Sequence, residues 1–325
     1  MQSISCQERQ VYPIIFPLEY GTIGSINFYM INDGESLSLI DAGIDHEGCW
    51  EFFNEVLSEQ GFVIEDIERI ILTHHHGDHV GLLKRILQLK NMPIYAHPLT
   101  IQRLQMDANF FQKRYQFFDK LYAEMDCRRD AFPQLEKLKK TLNELEERKI
   151  TANFVSLQEG DHISGLEVIA TPGHSPDSIS LYDYERKWLF TGDLLLKDMS
   201  TNAIIDLDQQ GGRLKSVSDQ RHSLQKCSEI HADLVFPGHR SIIENHKQLV
   251  KQKLESMDRK AERIVGLLKD KSQTASSIAK QYYKSKYYSE FSLVMSEIIG
   301  YLDYLEQKQL VKKEMVHDVW FYGVK

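Results

Sequence analysis

Within six positions, the run Thr73-His74-His75-His76-Gly77-Asp78-His79-Val80-Gly81 places four side chains that can bind a divalent cation. The apolar Ile70-Ile71-Leu72 just before it reads as a short buried strand. At strand spacing His74 and His76 point to one face and His75 to the other. As the chain leaves the strand, Asp78 and His79 can turn back toward a second point nearby. Imidazole and carboxylate together suit zinc, manganese or iron far better than calcium or magnesium. A surface histidine cluster or a tag is the bland alternative, but a tag sits at a terminus and carries no Asp or Gly.

Three further candidates each follow a strand-like run. Leu166–Ala170 leads into Thr171-Pro172-Gly173-His174, Lys187–Phe190 into Thr191-Gly192-Asp193, and Ala232–Phe236 into Pro237-Gly238-His239. Glycine beside the ligand lets the backbone turn sharply and lets metal and substrate approach. One such event marks an ordinary turn; three in order point to a site built at strand ends. His46, His97, His162, His222, His231, His246 and His317 have no partner ligand at useful spacing.

The set His74-x-His76-x-Asp78-His79, then His174, Asp193 and His239, resembles the metallo-β-lactamase fold superfamily, in particular its glyoxalase II and lactonase-like branch. The resemblance spans roughly residues 20–245. It implies that His74, His76 and His174 hold one metal, that Asp78, His79 and His239 hold the other, and that Asp193 bridges them. It also implies a supporting role for Asp41, at the end of Leu37-Ser38-Leu39-Ile40-Asp41, as the carboxylate behind a metal-bound His; a turn cap is the alternative. Asp193 argues against a dedicated β-lactamase, most of which lack that aspartate.

Two divalent ions, most simply Zn2+ with iron or manganese also fitting, carry four positive charges, of which Asp78, Asp193 and a bridging hydroxide offset three. About one positive charge remains to favour an oxyanion on a carbonyl or phosphoryl oxygen. A zinc-type ion lowers the pKa of bound water to roughly 7, so hydroxide is available at neutral pH. The expectation is a binuclear metallo-hydrolase that uses a metal-bridging hydroxide, with Asp78 and Asp193 as catalytic carboxylates, on a small thioester, lactone or ester. A phosphodiesterase or nuclease on the same ligands is the alternative, with a DNA-binding regulator behind it. The leaving-group acid is open among Asp78, a metal-bound water and a tyrosine.

Strand and helix signals alternate along the chain, which suits an α/β (α+β) sandwich with sheets inside and helices outside; the resemblance makes it αββα. Residues 1–245 form the expected catalytic domain. Within it, residues about 99–150 read as a helical insertion rich in aromatics, among them Phe110, Phe111, Tyr115, Phe117, Phe118, Tyr122 and Phe132. These either pack the insertion together or line an apolar acyl pocket. Residues 246–325 read as helices followed by a hairpin and resemble a small winged-helix domain. Its candidate recognition helix contains Glu290, Glu297, Asp303 and Glu306 with no basic residue before Lys308, a poor match to phosphates. Packing on the core, closing the pocket or a homodimer contact are the roles expected instead.

The net charge of −8 argues against a general nucleic-acid or anionic-membrane binder. No run approaches the roughly 18 apolar residues of a membrane span. The four cysteines are scattered without a CxxC, which reads as free thiols in a reducing compartment, the cytoplasm by default. A small-molecule substrate is the expected partner.

Overall fold

A computed structural model of the chain describes all residues except 1–2, 7–8, 19–20, 22 and 209. The first sheet takes its strands in chain order: β1 (Ile4–Cys6), β2 (Arg9–Pro17), β3 (Ser25–Asn32), β4 (Leu37–Ile40), β5 (Ile67–Ile71), β6 (Pro93–Ala96) and β7 (Asn153–Ser156). Pairing is antiparallel from β1 to β4 and parallel from β4 to β7. The parallel steps require crossovers. Helices supply the first two: α1 (Glu47–Glu59), then α2 (Gly77–Val80) and α3 (Leu83–Leu89). The third crossover carries the insertion, with α4 (Pro98–Leu104), α5 (Ala108–Glu124), α6 (Phe132–Asn143) and α7 (Leu145–Arg148).

The second sheet holds β8 (His162–Ile163), β9 (Leu166–Ala170), β10 (Ile179–Asp183), β11 (Trp188–Gly192) and β12 (Leu234–Pro237), in the order β12-β11-β10-β9-β8. Helix α8 (Ser216–Glu229) makes the parallel crossover from β11 to β12.

Period-two alternation assigns each residue to a layer. In β3, Ile26, Phe28 and Met30 pack toward α1 with Phe53 and Leu57, whereas Tyr29 and Ile31 enter the cluster between the sheets. Across that interface stand Leu166, Val168, Leu181, Trp188 and Phe190. On the far side Ile169, Leu189 and Val235 meet Leu224 and Cys227 of α8. The layers therefore run helix, sheet, sheet, helix. Strand β3 is buried on both faces and reads as a near-continuous apolar run.

After the sandwich come α9 (His246–Leu267), β13 (Gln273–Thr274), α10 (Ala275–Tyr283), α11 (Lys286–Ser289), α12 (Phe291–Gln307), β14 (Val311–Val316) and β15 (Val319–Val324), with sheet order β13-β15-β14. Thr274 caps α10, accepting from the Ser277 amide. Ile298, Leu302 and Leu305 share one apolar cluster with Phe118, Leu121 and Tyr122 of the insertion. A Cβ at Gly300 would lie 2.8 Å from the Val217 side chain, so the glycine lets α12 press against α8. Arg213 clasps Asp303 of α12 through Nε at 2.7 Å. The acidic helix thus has its apolar face and one carboxylate occupied by the rest of the chain.

All four cysteines are free thiols. Among the described residues, no helix is long and apolar enough to cross a membrane.

Candidate metal centre

Strands β5, β9, β11 and β12 all end at one edge of the sandwich, and the loops leaving them carry His74 to His79, His174, Asp193 and His239. The structure brings all seven expected ligands together. Three overlapping groups form, each with ligand atoms within 4.8 Å of one another: His74, His76 and His174; His74, His79 and Asp193; Asp78, His79 and His239.

Outer partners decide which atom of each ring faces inward. His79 Nδ1 sits 2.8 Å from Asp41 Oδ2, His239 Nδ1 2.7 Å from the Ser25 carbonyl, and His174 Nδ1 2.9 Å from the Asn202 carbonyl. His74 Nδ1 lies 3.1 Å from Thr73 Oγ1. In these four rings Nε2 is therefore turned into the centre, as second partners commonly arrange for a metal-ligating imidazole. His76 is reversed: its Nδ1 lies 3.0 Å from His74 Nε2 and 2.9 Å from His174 Nε2.

Asp193 is shared by three rings, with His239 Nε2 at 3.2 Å, His79 Nε2 at 3.3 Å and His174 Nε2 at 3.4 Å. Yet His79 Nε2 and Asp193 Oδ1 are buried with no hydrogen-bond partner. They lie 3.3 Å apart, and both belong to one group of potential ligand atoms with His74. A Cβ at Gly238 would fall 2.5 Å from Asp193 Oδ1 and 2.6 Å from His79 Cε1, so only glycine leaves that space clear. Buried polar atoms left unmatched are costly, and a cation among them removes the cost. The residues present fit a divalent metal.

Burial pulls the His74 and His76 pKa values well below the usual histidine range, and neighbouring imidazoles add to this. Both rings are neutral, as metal ligation requires. At His79 burial acts downward, but the Asp193 and Asp41 carboxylates outweigh it and hold the ring well above its ordinary value. For Asp193 burial acts upward, and His79 and His239 overcome it to leave the carboxyl well below the carboxylate range.

Asp41 is 2 % exposed and accepts from the Thr73 amide and hydroxyl, both at 2.8 Å, as well as facing His79. It links the Thr73 backbone to the His79 ring rather than serving only its own turn. His75 points out of the centre as expected, but from the loop beyond β5, which ends at Ile71, and its ring finds Asp177. Sequence reasoning missed Asp177. Its only signal was an acid three residues after His174, in a segment that reads as a plain turn. Among the other histidines, His46 and His97 cap α1 and α4, and His246 Nε2 pairs with the Ile230 carbonyl at 3.0 Å.

The insertion aromatics divide in two. Phe118 and Tyr122 are buried against the C-terminal helices, with Tyr122 5.4 Å from Phe291. Phe110 and Phe117 instead line a cleft of ≈ 990 Å³ together with Leu99, Pro172, Pro176 and Leu207. Pro172 and Pro176 flank His174 in sequence, and the same cleft carries Arg103, Lys113, Lys120, Asp208 and Asp219. Phe132 is exposed.

The family model of the Metallo-beta-lactamase superfamily matches residues 21–239. A probable metallo-hydrolase of Bacillus subtilis, YqjP, is 30% identical over 294 residues, covering 89% of this chain and 90% of that protein. An atrochrysone carboxyl ACP thioesterase of Aspergillus fumigatus is 22% identical over 245 residues, 74% of this chain and 58% of its own length. The crystal structure of a metallo-beta-lactamase family protein from Thermus thermophilus, TTHA1429, superposes with a TM-score of 0.75 at 23% identity, covering 97% of this chain and 98% of that one.

Proposed function

The chain belongs to the metallo-β-lactamase superfamily, and from that premise we propose that it is a binuclear metallo-hydrolase of a small carboxyl derivative, a thioester, lactone or ester. The observation that carries this reading is the convergence of five imidazoles and two carboxylates at one edge of the sandwich; the cleft that includes Pro172 and Pro176 has a mixed lining of apolar and charged side chains. Two bound divalent ions, zinc by preference, would supply hydroxide at neutral pH and polarise the substrate carbonyl.

The protein's own part is to fix the donors. His74, His76 and His174 would hold one ion, Asp78, His79 and His239 the other, with Asp193 between them. Asp41 keeps His79 in the orientation that presents Nε2. Asp78 lies 3.5 Å from His239 and is about a quarter exposed, so its carboxylate could accept the proton released by the attacking water and pass it to the leaving group. Phe110 and Phe117 would cover an acyl portion entering past Pro172 and Pro176. The similarity to an ACP thioesterase supports a thioester among the three linkages. This reading divides the chain at residues 245 and 246, with the winged-helix-like C-terminal unit bracing the insertion from behind.

A hydrolysis screen of the metal-loaded protein tests it, using acyl-CoA and glutathione thioesters, acyl-homoserine lactones and bis-p-nitrophenyl phosphate. Turnover of a carboxyl substrate is expected. Turnover confined to the phosphodiester would overturn the assignment in favour of a nuclease-type activity. Phe110→Ser with Phe117→Ser should raise KM for long acyl chains about tenfold and leave short chains nearly unchanged, because about 1.4 kcal/mol of apolar contact is tenfold in affinity.

A further inference from the structure

We propose that Asp177 is the positioning residue for the three-imidazole half of the centre, holding His74 and His76 in register with His174. The inference rests on the two-ion reading above.

Asp177 is fully buried. Its Oδ2 accepts from the His75 amide at 3.0 Å and from the Thr100 hydroxyl at 2.6 Å. His75 Nδ1 lies 2.8 Å from both carboxylate oxygens. The carboxylate therefore grips His75 by backbone and ring at once. His75 stands between His74 and His76, so the grip fixes the turn that aims both rings.

Asp177 itself follows His174 by three residues on a second loop. The same loop is closed by Ser175 Oγ and Ser178 Oγ at 2.8 Å. One side chain thus ties together the two loops that carry His74, His76 and His174. Of the remaining donors, His79 is held by Asp41, which also holds Thr73 beside His74, and His239 by the Ser25 carbonyl. Thr100 adds α4 of the insertion to the same carboxylate.

Outer partners of metal ligands typically change metal affinity about 10–100-fold when removed. Asp177→Asn keeps the shape but turns an amide NH2 toward donors that need an acceptor. Metal-free wild type, Asp177→Asn and, as the reference for this half, His76→Ala are titrated with cobalt(II) and followed by visible absorption. Wild type should show two binding steps. Asp177→Asn should weaken the step lost in His76→Ala about 10–100-fold and leave the other within about twofold. Thr100→Val, which retains the His75 grip, should leave both steps within about twofold. If Asp177→Asn does not fold, His75→Leu carries the same test, with the same step weakened.

Equal weakening of both steps, or of neither, overturns the positioning role while leaving the two-ion reading standing. A wild-type protein that binds no cobalt overturns both.

Discussion

Asp193→Ala is expected to lower kcat/KM by about a thousandfold or more, equivalent to roughly 4 kcal/mol of transition-state stabilisation. The same variant should emerge from purification with metal content near zero by elemental analysis. The reason is geometric. Asp193 is the one carboxylate within 3.4 Å of three of the inward nitrogens, on His79, His174 and His239. Removing it takes a charge from both halves of the centre. Asp193→Asn preserves the shape and should behave almost as badly, since the donors must offset cationic charge as well as fill space. The fold should persist in both variants, because Asp193 follows the end of β11 and its ion-pair contacts are with His79, His174 and His239 of the centre itself. A variant with wild-type rate and full metal content would show that Asp193 is not a ligand.

The largest effect on stability is expected away from the metals, at Asp206. This carboxylate is 3 % exposed and is held by Arg103 Nη2 at 3.0 Å, Arg114 Nε at 3.0 Å and the Leu207 amide at 2.9 Å. Arg103 is itself 4 % exposed and stacks over Phe110, its guanidinium carbon 4.6 Å from the ring centre. Asp206→Ala would strand a buried guanidinium, a loss of about 3–5 kcal/mol. Urea unfolding at neutral pH should show it as a lower midpoint.

The pH dependence of that difference has a fixed sign. Burial pushes the Asp206 carboxyl up, but Arg114 and Arg103 outweigh it and hold it below the ordinary range. A depressed native pKa stabilises the fold above the unfolded value of about 3.9 and is lost as pH falls through the native value. The gap between wild type and Asp206→Ala should therefore be full at neutral pH and shrink below about pH 4. A gap that widened on acidification would contradict the ion-pair account.

Much of the site was legible in one dimension because strand ends and glycine turns leave local marks. His74, His76, Asp78 and His79 stand in one short run, and His174, Asp193 and His239 each follow a strand and a glycine. The layer order could be anticipated from alternating strands and helices. Strand β2 was harder to see: Arg9–Pro17 contains Pro13 and charged and polar residues that blur its periodicity. Strand β10, Ile179–Asp183, is buried along its whole length, so its polar residues Ser180 and Asp183 lie inside and mark no exposed face.

What the sequence alone determined is which residues are candidate donors, since ligand chemistry belongs to side-chain type and spacing. Which nitrogen of each ring faces inward was decided only in three dimensions, because the answer lies with partners far along the chain. Ser25 sets the ring of His239 across 214 positions, and Asn202 sets His174 across 28. The division of the insertion aromatics was likewise tertiary. Phe117 and Phe118 are neighbours of one chemical type on one helix, and both meet the cluster shared with the C-terminal helices, but Phe118 is buried in it while Phe117 is only partly buried there and also lines the cleft. Asp177 belongs to the same category: a turn residue by its neighbours in sequence, a clamp by its neighbours in space.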